Sequence, residues 1–488
     1  MPDQGEHRRR YAIVGTGARA ELYARAIAVD HAATARLVAM ADPNPVRLAA
    51  HHARLTGLGA PAVPCYPATA FVEMLERERA DVAVVTTMDR FHDEYIVAAL
   101  DAGLDVVTEK PMTISVVRGQ PRLDASARTG RQVTVTFNYR YNPVHEAVRQ
   151  VLASGEIGEI GSVHFEWLLD VRHGADYFRR WHRRLANAGG LLVHKSSHHF
   201  DLVNWWLGTT PTEVYAAGRL FFYGTQAGER HGYRRDYQRA HGAPAAADDP
   251  FALHLADHPG LRALYLDAEH IDGYHRDQNV FGDGIDIADD LAVLVRYASG
   301  ASMSYHLTAY APWEGYRVMF NGSRGRLELE VVENDHVRRP PPRGATPTGA
   351  SAATGATVGA TAGAALHGVA AAAEQGWARL TVHPFWAPPK EILIDGYARE
   401  GHGGADASML TALLTPAGGT RGAGDADQRT PDALGRSATE LDGAAALLVG
   451  LAANESLACG RAVRVAALLD LPTTPGPATP GPTPSSDR

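Results

Sequence analysis

Cysteine is close to absent: Cys65 and Cys459 are the two in 488 residues, and they lie far apart in the chain. That excludes a disulfide framework and fits a reducing compartment, so a cytoplasmic protein is expected. An excess of basic charge is lacking too. Lys and Arg number 47 against 55 Asp and Glu, a net charge of −8. This leaves no electrostatic footprint for nucleic acid or for an anionic membrane as partner. No window reaches about 18 apolar residues without charge or repeated glycine, so no transmembrane helix is predicted. The opening MPDQGEHRRR is polar, with no apolar stretch ahead of a cleavage site, and no secretory signal is expected. Charge itself runs out over 344–373, which holds no Lys, Arg, Asp or Glu and is dominated by Ala, Gly and Thr. With few large side chains to offset ordering entropy, an insertion over 340–375 is expected to be disordered. The Pro- and Thr-rich tail, 471–488, is expected to be disordered as well.

What remains is enough for a sizeable core, with 45% hydrophobic residues. Over 1–130, short β-rich runs alternate with helical spacing. Tyr11–Val14, Leu37–Ala41, Val82–Thr86 and Asp105–Val107 are the strand-like runs, and Val133–Phe137 follows just beyond. Such alternation predicts a doubly wound α/β parallel sheet. Over 131–470 the pattern changes to strands mostly in succession, among them Ser162–Leu169, Pro211–Arg219, Asp290–Tyr297 and Ala301–Ala309. This predicts an α+β domain with a large open, mainly antiparallel sheet. Gly190–Leu207 reads as one helix stopped by Gly208. The polar stretch 224–282 reads as a long excursion from the second sheet.

Gly15-Thr16-Gly17-Ala18-Arg19-Ala20 follows the first strand and opens a helix. Gly15 permits the tight turn, Gly17 lets a pyrophosphate approach the backbone, and Ala20 allows close helix–strand packing. The helix start, with Arg19 in it, faces the phosphates with free N–H groups. Asp42 ends the next strand, where a carboxylate accepts from ribose hydroxyls and repels a 2′-phosphate. The pattern is a Rossmann-type dinucleotide site that favours NAD over NADP, although Arg47 is within reach of a 2′-phosphate.

YAIVGTGARA, then Thr87-Met88-Asp89-Arg90-Phe91-His92, then Glu109-Lys110-Pro111 resemble the glucose–fructose oxidoreductase, inositol dehydrogenase and rhizopine-catabolism family (Gfo/Idh/MocA). Its pattern is T-P-N-x-x-H, a helix, then E-K-P. Met88 and Asp89 stand here in place of the usual Pro and Asn. FNYRYNP at 137–143 resembles the family's lead into its second domain. The resemblance implies cofactor contacts from Thr87, His92, Glu109 and Lys110. It also implies that Lys110 reaches the reacting hydroxyl, where an ammonium stabilises alkoxide character.

In the expected helix, His194, His198, Asp201 and Trp205 form one stripe at 3.6 residues per turn, beside an apolar face. The family pattern resembled here is glycines, Asp-x-x-x-His, and an Asp three residues on. His198 and Asp201 match it, and His194 takes the place of the first Asp. Imidazole suits proton removal from an alcohol near neutrality, so His198 is expected to be the proton acceptor. His194 is expected to bind a substrate hydroxyl or to share the proton. If position 194 only orients its neighbour, an Asp there would serve as well. His199 points off the stripe and reads as structural. The His pair at i and i+4 lacks a supporting Cys or carboxylate cluster, so no metal is expected. The loop before the helix offers Tyr177, Arg180 and Trp181 for sugar faces, hydroxyls or carboxylates, and Tyr139, Arg140 and Asp201 for the same cleft.

The expected activity is NAD-dependent hydride transfer from a sugar, cyclitol or glycoside hydroxyl, with a small substrate, neutral or anionic. Two alternatives stay open. One is a glycoside hydrolase using held NAD in a closed redox cycle, with Tyr233, Tyr237 and His241 of the excursion as extra acid or base. The other is a non-catalytic nucleotide-binding regulator. The resemblance also implies a homodimer or homotetramer through the open sheet.

Overall fold

The computed structural model describes residues 8–115, 120–337, 339, 376–394, 404–415 and 432–469, without the side chains of 120–124. The expectations for 340–375 and 471–488 lie outside the described residues. Sixteen strands form two sheets among the described residues. Six open the chain: β1 (Arg9–Val14), β2 (Ala35–Asp42), β3 (Cys65–Pro67), β4 (Val82–Val85), β5 (Asp105–Thr108) and β6 (Val133–Val135). They pair in parallel in the order β6-β5-β4-β1-β2-β3. Central β4, VAVV, is buried along its whole length, as a parallel strand covered on both faces must be. The order reverses between β1 and β4, which opens a crevice at their C-terminal ends where ligands sit in such sheets.

The second sheet holds β7 (Ile160–Asp170), β8 (Pro211–Arg219), β9 (Asp290–Tyr297), β10 (Ser302–Ala311), β11 (Glu314–Gly322), β12 (Gly325–Asn334), β13 (Trp377–Pro384) and β14 (Lys390–Ile392). Their order is β14-β13-β12-β11-β7-β10-β9-β8, antiparallel except for β7 beside β10. Alternation of buried and open positions along β10 marks a sheet packed on one face. The packed face carries Trp167 stacked on His199, with ring centroids 4.0 Å apart. The other face exposes Leu294 and Tyr215, cross-strand partners of β9 and β8.

Three features depart from the sequence reading. First, the parallel sheet does not end at 130. β6 extends it, and β15 (Ala438–Thr439) adds an antiparallel edge strand. Helix Ala405–Leu414 packs into the same layer's apolar cluster. Second, the excursion is no free loop of the second domain. Leu253, Leu255, Leu261, Leu264 and Tyr265 form an apolar cluster with Ala18 of the glycine motif. Third, helix Glu440–Cys459 is long and apolar enough to cross a membrane by length and composition. It lies inside the molecule instead. A Cβ on Gly443 would come within 2.8 Å of Met112, and one on Gly450 within 2.5 Å of the Leu192 carbonyl oxygen. The helix thereby wedges against both the parallel sheet and the histidine segment. Cys65 and Cys459 are free and exposed. A last strand, β16 (Val463–Arg464), closes the edge of the second sheet on β8.

Candidate active site

The glycine motif sits at the crevice. Gly15 has φ +87°, and a Cβ there would come within 2.6–2.7 Å of the Thr86 and Thr87 backbone, so no other residue fits. Thr86 Oγ1 donates to the Gly15 carbonyl at 2.6 Å and locks the crossing. At Gly17 the added atom would meet only the Tyr265 hydroxyl, at 3.6 Å. Asp42, at the end of β2, accepts from the Thr16 N–H at 2.6 Å and from the Asn44 N–H at 2.7 Å. Burial pushes its carboxyl up, and these two N–H groups oppose that shift. The open backbone at Gly17 and the carboxylate at the strand end fit a dinucleotide's pyrophosphate and ribose.

Arg19 and Glu109, expected as cofactor contacts, engage each other: Arg19 Nε donates to Glu109 Oε1 at 2.5 Å, and Tyr23 donates to the same oxygen at 2.7 Å. Burial raises the Glu109 carboxyl, but Arg19 and Lys110 outweigh it and hold the group below its ordinary range. His92 bridges two loops. Its Nδ1 lies 2.7 Å from the Pro111 carbonyl oxygen and its Nε2 3.0 Å from that of Thr87. It thus holds Thr87 and the cis Lys110–Pro111 bond in register. Arg47 is tied down by the excursion, at 2.7 Å from Asp272 and 3.0 Å from the Leu264 carbonyl oxygen.

The expected single helix is broken. It runs Gly190–His194, turns through Lys195 and Ser196, and resumes at Ser197–Leu207. The Ser196 N–H reaches back to Leu191, and the His198 N–H to Lys195 rather than His194. The His194 carbonyl is therefore released from the helix ladder and accepts from Lys110 Nζ at 2.9 Å. Such interruptions recur at functional sites. The break also splits the predicted stripe. His194 Nδ1 meets Asp89 Oδ2 at 2.5 Å, whereas the His198 ring stacks on Tyr139 with centroids 4.6 Å apart.

Lys110 and His194 meet in a largely buried, charged cluster. Burial lowers the Lys110 ammonium to about 8, with Asp89 and Glu109 opposing. Burial raises Asp89 well above the carboxylate range, and Lys110 pulls against it. Burial likewise holds His194 and His182 neutral, reinforced by Lys110 and Arg180. The His182 and His194 rings are 4.2 Å apart, with Tyr177 at 5.7 Å and Trp181 at 6.1 Å from His194. Tyr177 and Trp181 thus lie beside His194. Arg180 spends one Nη on Asp176 at 2.6 Å.

Arg140 and Asp201 are a correction. Both are fully buried, and Arg140 Nε and Nη2 donate to the two Asp201 oxygens at 2.8 and 2.6 Å. Arg140 also reaches Asp442 at 3.1 Å. Facing each other across the junction of the two domains, they hold the helix in place rather than meet substrate. Tyr139 accepts from Lys195 Nζ at 3.0 Å, with its ring on His198. His199 bonds the Tyr305 hydroxyl at 2.7 Å, a structural position. The sequence reading missed Asp89, His182 and Tyr265 as site residues. For Asp89 a signal existed: a carboxylate is gained at 89 and lost at 194. Among the described residues no three His, Cys, Asp or Glu side chains are grouped to hold a metal.

Residues 9–137 match the oxidoreductase family's NAD-binding Rossmann fold (GFO_IDH_MocA), and 149–348 match its C-terminal alpha/beta domain. YteT, an oxidoreductase-family protein of Bacillus subtilis (strain 168), is 37% identical over 301 residues, 60% of this chain and 69% of its own. Inositol 2-dehydrogenase of Rhizobium meliloti (strain 1021) is 28% identical over 211 residues, 43% of this chain; the chain spans 58% of that protein's length, under two thirds. An oxidoreductase from Agrobacterium radiobacter, crystallised with NAD+, L-tartaric acid and magnesium, superposes with a TM-score of 0.55 at 15% identity, over 94% of this chain and 99% of its own. By the match of both its domains, the chain belongs to the GFO/IDH/MocA oxidoreductase family.

Proposed function

We propose that the protein is an NAD-dependent dehydrogenase of a sugar or cyclitol hydroxyl. The observation that carries this reading is the Lys110 ammonium, held beside the Asp89–His194 pair. Both lie where β4 and β5 end, next to the glycine crossing. Bound NAD supplies the hydride acceptor. Lys110 in its cationic form donates to the substrate oxygen and stabilises the charge that grows there. An imidazole of the broken helix, His194 or His198, takes the hydroxyl proton. Tyr177 and Trp181 offer ring faces to the substrate's C–H surface. Asp42 favours a free ribose over a 2′-phosphate, and Arg47, the cation that would welcome a phosphate, is engaged by Asp272. The inositol dehydrogenase relative supports a polyol substrate.

Calorimetric titration with NAD and NADP, then a screen of inositols, hexoses and uronates for NADH absorbance, tests the reading. Binding of neither cofactor ends it. The exposed Leu294–Tyr215 pair on the open sheet supports a homodimer or homotetramer, which light scattering showing only monomer would refute.

A second reading has one observation in its favour. The excursion closes on the glycine motif through Tyr265, which suits a cofactor that stays bound through a closed oxidation, elimination, hydration and reduction cycle on a glycoside. The groups expected to serve it face elsewhere. Tyr237 donates to Asp249 at 2.7 Å, Tyr233 stacks on Phe281, and His241 is exposed. Free sugar released from glycosides without NADH accumulation would favour this cycle over net oxidation.

A further inference from the structure

We infer that Asp89 is a positioning residue of the reaction, acting through His194, and that the two side chains form one proton-accepting unit. The inference rests on the dehydrogenase reading above. Its basis is a meeting of two oddities. Asp89 and His194 are the two titratable positions at which the chain departs from the pattern it otherwise resembles, and they are 105 residues apart. In space Asp89 Oδ2 lies 2.5 Å from His194 Nδ1. The carboxylate gained on the loop after β4 thus replaces the one lost from the helix, with the partners exchanged. Asp89 is 3% exposed, so this contact is not an incidental surface pair.

The chemistry follows from charge and burial. With Nδ1 engaged by the carboxylate, Nε2 is the nitrogen left to take a proton. In the form that accepts a proton, the pair holds one proton and a net negative charge. Afterwards it holds two and is neutral. A dry site disfavours the charged form, so burial strengthens the pair as a base beyond an isolated buried imidazole. Lys110 from the loop after β5, Arg180 and His182 from the preceding segment, and His198 from the resumed helix face His194 and pull the other way. Glu109 acts on Asp89 in the same direction as burial. With NAD bound, the carbinol hydrogen would leave with its electron pair to the oxidised nicotinamide. The O–H proton passes to His194 Nε2, and the C=O bond forms.

The test uses the full chain with NAD and its best polyol substrate. Asp89→Asn is expected to lower kcat by about 10²–10⁴, with NAD affinity and KM within about twofold, and to move the acid limb to lower pH. Asp89→Glu, which keeps a carboxylate, is expected to regain about tenfold or more of that loss. A merely structural Asp89 would not move the acid limb. Asp89→Asn turning over within about threefold of wild type, or with the acid limb in place, overturns the proposal. A readout independent of turnover and of any variant is the ¹⁵N signal of His194 in the wild type. Protonation of Nε2 within the pH range over which the protein stays folded is expected, and its absence overturns the pair. A wild type that reduces no NAD with any polyol sinks the dehydrogenase reading, while the His194 titration still decides the pair.

Discussion

The Tyr265 hydroxyl accepts a hydrogen bond from the Ala18 N–H at 2.9 Å, joining the excursion to the start of the glycine-motif helix. With NAD bound as proposed, the hydroxyl would have its own proton to offer a phosphate oxygen. Its ring is crossed by Arg276 at 4.5 Å, which sets its orientation.

Tyr265→Phe removes one hydrogen-bonding group and little else. A net loss of about 1 kcal/mol is expected, roughly fivefold in the Kd for NAD. Most of the change should fall in the dissociation rate, because the excursion covers the site rather than steering entry. Stopped-flow displacement of NAD measures it. An unchanged dissociation rate would mean that Tyr265 serves only the packing of the excursion.

Lys110 must be cationic to stabilise the alkoxide, and burial brings it to about 8. Activity is therefore expected to fall as pH rises through about 8, well below the ordinary lysine range. The Glu109 carboxylate holds the ammonium up, so Glu109→Gln should move this alkaline limb to lower pH. A limb that stays put in the pH profile of kcat/KM would assign it to another group.

Burial lowers His51 and His145 to about 4. Their folded values lie below the unfolded value near 6.5, so the unfolded chain binds protons that the folded one refuses. Stability is then whole above about 6.5 and is lost as pH falls toward about 4, by an amount on the order of a few kcal/mol. Thermal melts across this range should show Tm falling with pH. Replacing His145 with Gln should flatten the slope, and a slope that persists unchanged would clear this residue.

His194→Asp reverses the expectation drawn from the sequence. An Asp at 194 would face Asp89, and two buried carboxylates at that distance cannot both ionise. A loss on the order of 2 kcal/mol is expected in melts. The Asp89→Asn/His194→Asp double variant should recover much of it, since one carboxylate is gone. A double variant no more stable than the His194→Asp single would show that the two side chains are not coupled.

Much of this was legible along the chain. Val82–Thr86 and Asp105–Val107 read as parallel strands because short β-rich runs there alternate with helical spacing. Lys110 read as a site residue because it follows one. The broken helix was not legible. The pattern from Gly190 to Leu207 is continuous at 3.6 residues per turn, and nothing in it marks the turn at Lys195 and Ser196. That turn comes from packing, with Lys110 and the Glu440–Cys459 helix pressing on the same segment. Asp201 looked like a cleft residue because charge in a helix stripe usually faces water, and Arg140 because it stands at the lead into the second domain. They are buried because each is the other's partner.

The sequence by itself determined the dinucleotide crossing. Gly15 has no alternative where a Cβ would strike the Thr86–Thr87 backbone, and Asp42 must end the strand beside it. It also determined that a lysine would stand at the C-terminal edge of the sheet. Only the tertiary structure decided which histidine receives a carboxylate, and that the excursion closes over the glycine motif. Those pairings, Asp89 with His194 and Ala18 with Tyr265, join residues 105 and 247 apart. No local periodicity encodes such a contact; it exists only when separate elements pack to one edge of the sheet.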